Sequence, residues 1–222
     1  MNCPWADWRP TRFFFCETPL CSWIQEPFNS VSNVFYLVAA VFIWLRWRST
    51  HPKLAKRLVL NLSLIALGSF FLHASKTFAG EVADMAGMFF LIATILVWNL
   101  TRYKGRTLRG ETYWFLCLGL IPSTALLFSA LNGNLIFLGL MGCVGVTEWI
   151  QLQNPKKTRY FWGVCAAASF LVGLPFWWFE AGQPWCSPGT HGFTGHVVWH
   201  FLTAVSVVLM AEYYSQFGFL SD

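Results

Sequence analysis

The chain has 222 residues, of which 56% are hydrophobic, 18% aromatic and only 11% charged, against about 25% charged residues in a soluble domain. That composition excludes a water-soluble globule and indicates a membrane protein. The net charge of +5 would suggest nucleic acid in a soluble protein, but here the cations gather in short loops between apolar runs, where membrane topology accounts for them; nucleic-acid binding is excluded.

Residues 1–15 scatter Pro4, Asp7, Arg9 and Arg12 among aromatics. They lack the basic start, apolar stretch and small-residue cleavage site of a signal peptide, so this segment is expected to stay attached. Seven apolar runs follow, at about 28–46, 58–77, 81–101, 112–131, 133–151, 160–180 and 194–216, each near the roughly 20 residues that cross a hydrocarbon core as a helix. Connections are short and no internal repeat is visible. The whole chain, residues 1–222, therefore reads as one all-α membrane domain of seven transmembrane helices, with 1–27 as an N-terminal segment.

Cytoplasmic loops collect Lys and Arg, which orients the bundle. Arg46, Arg48, Lys53, Lys56 and Arg57 separate the first two spans, Arg102, Lys104, Arg106 and Arg109 the third and fourth, and Lys156, Lys157 and Arg159 the fifth and sixth. Of the fifteen Lys and Arg, only Arg9, Arg12 and Lys76 fall on the other side. An outside N-terminus and a cytoplasmic C-terminus follow. Cys3, Cys16, Cys21 and Cys186 then share the outer side, where an oxidising compartment permits a disulfide; spacing does not fix the connectivity. Trp44, Trp47, Trp98, Trp149, Trp177, Trp178 and Trp185 stand near span ends, as an interfacial aromatic belt would.

The second span holds Ser69 and His73 in its outer part, the third opens with Asp84, and the seventh opens with His196 and His200. Ionisable groups at such depth cost about 2.5–3.5 kcal/mol on insertion scales and mark function. Ser69 and His73 are four apart, as are His196 and His200, so each pair projects from one helical face. Three imidazoles from two helices, with a fourth position open, are the donor set of a catalytic zinc. Such a zinc lowers the pKa of its water to about 7, giving a hydroxide that attacks a carbonyl. Asp84 is placed to take the water's proton and Ser69 to donate to the oxyanion. Singly, each residue has an ordinary reading: a histidine or serine stitching helices together, an aspartate capping its helix. The two four-residue spacings and the common depth favour the metal.

Other polar residues carry less. His191 in a Gly-rich loop, five before His196, reads as an exposed histidine, and His51 as a solvated one in a basic loop. Glu148, near the inner end of the fifth span, is expected to reach the interface. Glu26, Asn29 and Asn33 share a face at the head of the first span, suited to a hard cation or to stitching helices; stitching is the preferred reading.

Ser69-xxx-His73, Asp84 eleven residues on, and His196-xxx-His200 in the last of seven spans resemble the alkaline ceramidase family, within a superfamily of seven-helix membrane hydrolases that includes the adiponectin-receptor-like proteins. Glu26 followed by Asn29-Ser30-Val31-Ser32-Asn33 is similar to the ceramidase pattern at the head of the first helix. The resemblance implies Zn2+ on His73, His196 and His200, catalytic roles for Ser69 and Asp84, and hydrolysis of ceramide or a related N-acyl lipid to a fatty acid and a sphingoid-type amine. It also supports pairing Cys16 with Cys186. Family members of animal origin hold Ca2+ on an acidic loop, of which Glu17 and Glu26 remain here; Phe14 and Phe15 replace an expected Asp-Trp pair, and the loop is shorter. Ca2+ is the weaker of the two metal expectations. The partners implied are the bilayer and a lipid substrate drawn from it; no protein partner is implied. The compartment follows the source: the plasma membrane in a bacterium, the endoplasmic reticulum or Golgi in a eukaryote. Two other functions fit parts of the pattern. One is an adiponectin-receptor-like lipid sensor, against which the orientation and the short N-terminal segment argue; the other is a proton-coupled transporter that uses Asp84 and the histidines as a relay.

Overall fold

The structure, a computed structural model, describes residues 3–105, 109–128, 132–153, 158–181, 186 and 192–221. The described chain folds as α1 (Pro27–Ser32), α2 (Val34–Trp47), α3 (Pro52–Ser75), α4 (Phe78–Lys104), α5 (Glu111–Phe128), α6 (Gly133–Leu152), α7 (Phe161–Ala181) and α8 (Gly195–Tyr214), with a short 3-10 turn at Gly218–Leu220. Counting α1 and α2 as one segment, Pro27–Trp47, seven helices are long and apolar enough to cross a membrane.

Local chemistry sets the ends. Pro27 and Pro52 start α1 and α3 at positions where no backbone N–H is needed. The Thr77 hydroxyl caps α4 by accepting from Gly80 N at 3.1 Å, so Asp84, further in, is not the cap. Hydropathy marks the part of a helix that meets lipid rather than the helix itself: α3 begins six residues before the predicted run, and Lys53, Lys56 and Arg57 lie on its first turns instead of in a loop. The first run, expected as one helix over 28–46, is broken at Asn33. There Asn33 Nδ2 donates to the carbonyls of Asn29 (3.0 Å) and Ser30 (3.2 Å), and Ser32 Oγ donates to Asn29 O (2.8 Å), so side chains take carbonyls that a continuous helix would pair with backbone.

The core lies between α2, α3, α4 and α8, whose spans are 44–61% buried; α5, α6 and α7, at 11–22%, present most of their surface outward. One apolar cluster, around Ile43, Leu54, Leu58, Trp98 and Tyr214, fills the cation-rich end. A second, around Met85, Phe89, Phe137, Trp177 and Trp199, lies beneath the site described below. Trp47, Trp98 and Trp177, expected in an interfacial belt, are instead core residues; Trp44, Trp149 and Trp178 are exposed, and Trp185 lies outside the described residues. Glu148, expected to reach the interface, is found paired: it stands 2.7 Å from Arg102 and accepts from the Tyr213 hydroxyl at 3.0 Å. Those partners are on α4 and α8, so the carboxylate ties α6 to the core.

Glycine lets α3 and α4 run in backbone contact, as small residues do in membrane bundles. A Cβ on Gly68 would stand 2.4 Å from Ala83 O and 2.9 Å from Asp84 N. Gly68→Ala is therefore expected to cost about 1–3 kcal/mol and to reduce activity by moving Ser69 away from Asp84. Gly139→Ala is the control, because its Cβ meets nothing within 4 Å; thermal melts of both variants in one detergent check the contrast.

Candidate metal centre

Three helix ends meet at the end of the bundle away from the cation-rich loops. The last turns of α3 carry Ser69 and His73, the second turn of α4 carries Asp84, and the first turns of α8 carry His196 and His200. Ser69 and the three histidines are buried, between 0 and 4% exposed; Asp84 is half-buried on a cavity wall. Each histidine offers a ring nitrogen, and these atoms lie within 4.8 Å of one another. Ring centroids are 4.9 Å apart for His73 and His196, 5.4 Å for His73 and His200, and 4.5 Å for His196 and His200. Ser69 Oγ is 3.4 Å from His200 Nε2 and shares the cavity wall with Asp84. All five side chains singled out from the sequence are thus neighbours. His191 lies outside the described residues, and His51 sits at the far end of α3 beside Thr50.

The donor set fits a metal. His73 Nδ1 is 2.6 Å from Glu26 Oε2, while its Nε2 is buried with no hydrogen-bond partner among the described residues. Because the Ser32 hydroxyl donates to Asn29 O, its oxygen accepts from His200 Nδ1 at 2.7 Å, which leaves Nε2 unprotonated on the site side, beside the Ser69 hydroxyl. A carboxylate or hydroxyl on the far nitrogen is the usual means of fixing a ligand histidine's tautomer and orientation. The 4.8 Å limit is wider than the roughly 3.3 Å edge of a tetrahedral zinc shell, so the rings have to draw together to share an ion.

The residues that hold two of these rings from outside come from the head of the first span, where the sequence offered Glu26, Asn29 and Asn33 for a hard cation or for stitching helices, with stitching preferred. Glu26 contacts His73, Ser32 contacts His200, and Asn29 Oδ1 accepts from Thr194 Oγ1 at the start of α8 at 2.9 Å. Burial pushes the Glu26 carboxyl up, but the hydrogen bond and charge of His73, with the Lys76 ammonium, outweigh it and hold the group below the usual carboxylate range. Glu17, the other residue considered for Ca2+, accepts from the backbone N–H groups of Phe28 (2.8 Å) and Asn29 (2.7 Å). The carboxylates of that loop thus already face protein donors.

The N-terminal segment roofs the centre. Phe15 lies against the rings of His73 (4.6 Å between centroids) and His196 (4.3 Å). The segment is pinned by the Arg12–Glu81 ion pair and by two disulfides: Cys16–Cys186, as the resemblance implied, and Cys3–Cys21, which spacing alone did not single out. Beneath the roof is a small cavity. Its polar lining is Tyr36, Ser69, Asp84, His196 and His200, and its apolar lining includes Phe13, Phe15, Trp177 and Trp199. Nothing in the sequence distinguished Phe13 or Tyr36, since aromatics are spread along the whole chain, and Phe15 stood out only as a departure from the acidic-loop pattern.

Comparison with known proteins points the same way as this geometry. The mouse protein named alkaline ceramidase 1 is 28% identical to the chain over 218 residues, covering 90% of this chain and 75% of that protein. The ceramidase family model matches residues 13–220, from the roof through the last helix, and the chain belongs to the ceramidase family.

Proposed function

We propose that this protein is a zinc-dependent intramembrane hydrolase that cleaves the amide bond of ceramide or a related N-acyl lipid, giving a fatty acid and a sphingoid-type amine. Family membership and the mouse relative's name support the substrate class. The observation that carries the chemistry is the set of three buried imidazoles beside Ser69 and Asp84.

Zinc, when bound, supplies a Lewis acid that polarises a carbonyl and brings water's pKa to about 7. The chain's residues do the rest. His73, His196 and His200 hold the ion, with Glu26 and Ser32 fixing two of the rings. Asp84 accepts the proton of the attacking water and returns it to the departing amine. The Ser69 hydroxyl donates to the carbonyl oxygen as charge develops on it. Phe13, Phe15, Trp177 and Trp199 keep bulk water out. The scissile amide would sit at the small cavity lined by Ser69, Asp84, His196 and His200, with the long chains extending into the bilayer. The cation count orients the site end to the non-cytoplasmic side of a multi-pass membrane protein.

Metal analysis and a hydrolysis assay on the purified protein test this directly. About one zinc per chain and release of fatty acid from ceramide are expected. Protein that carries no metal and leaves ceramide intact would overturn the proposal in favour of the transporter reading.

A further inference from the structure

Lys76 is the one described residue other than glycine with a positive φ, +52°. It ends α3 in the left-handed conformation that glycine adopts without strain and other side chains resist. Its backbone carbonyl accepts from Thr11 N at 2.9 Å, a bond that glycine would make equally well. What glycine lacks is the ammonium. That group is only 12% exposed and stands 2.7 Å from Glu26 Oε1. It also donates to Phe13 O at 3.3 Å and lies 4.4 Å from the centre of the Phe15 ring. The other oxygen of the same carboxylate, Glu26 Oε2, is the one 2.6 Å from His73 Nδ1.

A carboxylate held at one oxygen by a fixed cation has little freedom to turn the other away. We propose that Lys76 is a positioning residue: its ammonium holds Glu26 so that the carboxylate keeps His73 in the Nδ1–H tautomer with Nε2 directed at His196 and His200. The bond to Phe13 O and the contact with Phe15 extend the same hold to the roof. The backbone strain is then the cost of having a cation at this spot. The link to metal rests on the zinc reading above; the link to the His73 tautomer does not.

The test compares wild type with K76G, which relaxes the backbone while deleting the ammonium, and with K76R, which restores a cation. In metal-free protein, 15N-histidine NMR is expected to show His73 as Nδ1–H in wild type and K76R and as a mixture of tautomers in K76G. In zinc-loaded protein, K76G is expected to bind zinc about ten- to a hundredfold more weakly at temperatures well below its melting point. An unchanged His73 tautomer in K76G overturns the proposal, as does zinc loss that occurs only where the protein unfolds. If wild type takes up no zinc, the metal reading falls, and the metal-free NMR comparison still decides the role of Lys76.

Discussion

Under the proposed function, His196→Ala is expected to bind no zinc and to release fatty acid from ceramide at least about a thousandfold more slowly, since a metal's charge stabilisation is worth several kcal/mol and each 1.36 kcal/mol is tenfold in rate. The ring lies 4.5 Å from His200 and 4.9 Å from His73 between centroids, and no other described histidine lies at this end of the bundle to replace it. His196 also packs on Phe15, so loss of activity has to be separated from loss of fold. A melting temperature near that of wild type, together with metal content measured on the same sample, does this. His51→Ala, at the far end of α3, is the matched control and should keep both zinc and activity. Full activity in His196→Ala would show that the imidazole cluster is not the reaction centre.

Asp84→Asn should behave differently, keeping its zinc while losing activity by about 10²–10⁴-fold, the range for a general acid–base group. The amide preserves the shape of the side chain and its place beside Ser69 on the cavity wall but neither takes nor returns a proton. Ser69→Ala should lose about 10²–10³-fold, as for removal of one donor to an oxyanion, again with zinc retained. Zinc content and single-turnover rate measured side by side are decisive. Zinc lost from Asp84→Asn would make the carboxylate a ligand, and undiminished turnover would remove it from the chemistry.

Different parts of this structure were legible in the sequence to different degrees, for physical reasons. Apolar runs mark where a helix meets lipid, so all seven spans were readable, but the start of α3, ahead of its apolar run and rich in cations, was not. Four-residue spacing guarantees a shared helical face, which is why Ser69 with His73 and His196 with His200 could be read as pairs before any coordinates. Contacts made through a third element carry no such periodicity. Glu26 on His73 and Ser32 on His200 join residues 47 and 168 positions apart, and polar residues at a helix head look the same whether they orient a ligand or stitch helices. The partners of Glu148 were not legible because hydropathy describes a residue's depth and not its partners; Arg102, Tyr213 and Tyr214 come from two other helices. Trp47, Trp98 and Trp177 misled, since nearness to a span end does not say whether an indole faces lipid or protein.

The Phe15 ring covers His73 and His196 from the N-terminal segment, and by the cation count that end of the bundle is expected to face the non-cytoplasmic aqueous phase. Under the proposed function, supply of reactant is then a two-dimensional problem: molecules arrive by lateral diffusion within the leaflet. Turnover would follow the mole fraction of the lipid in the membrane rather than its amount per volume of solution, and diluting the reactant with inert phospholipid would slow the enzyme even with the total quantity unchanged.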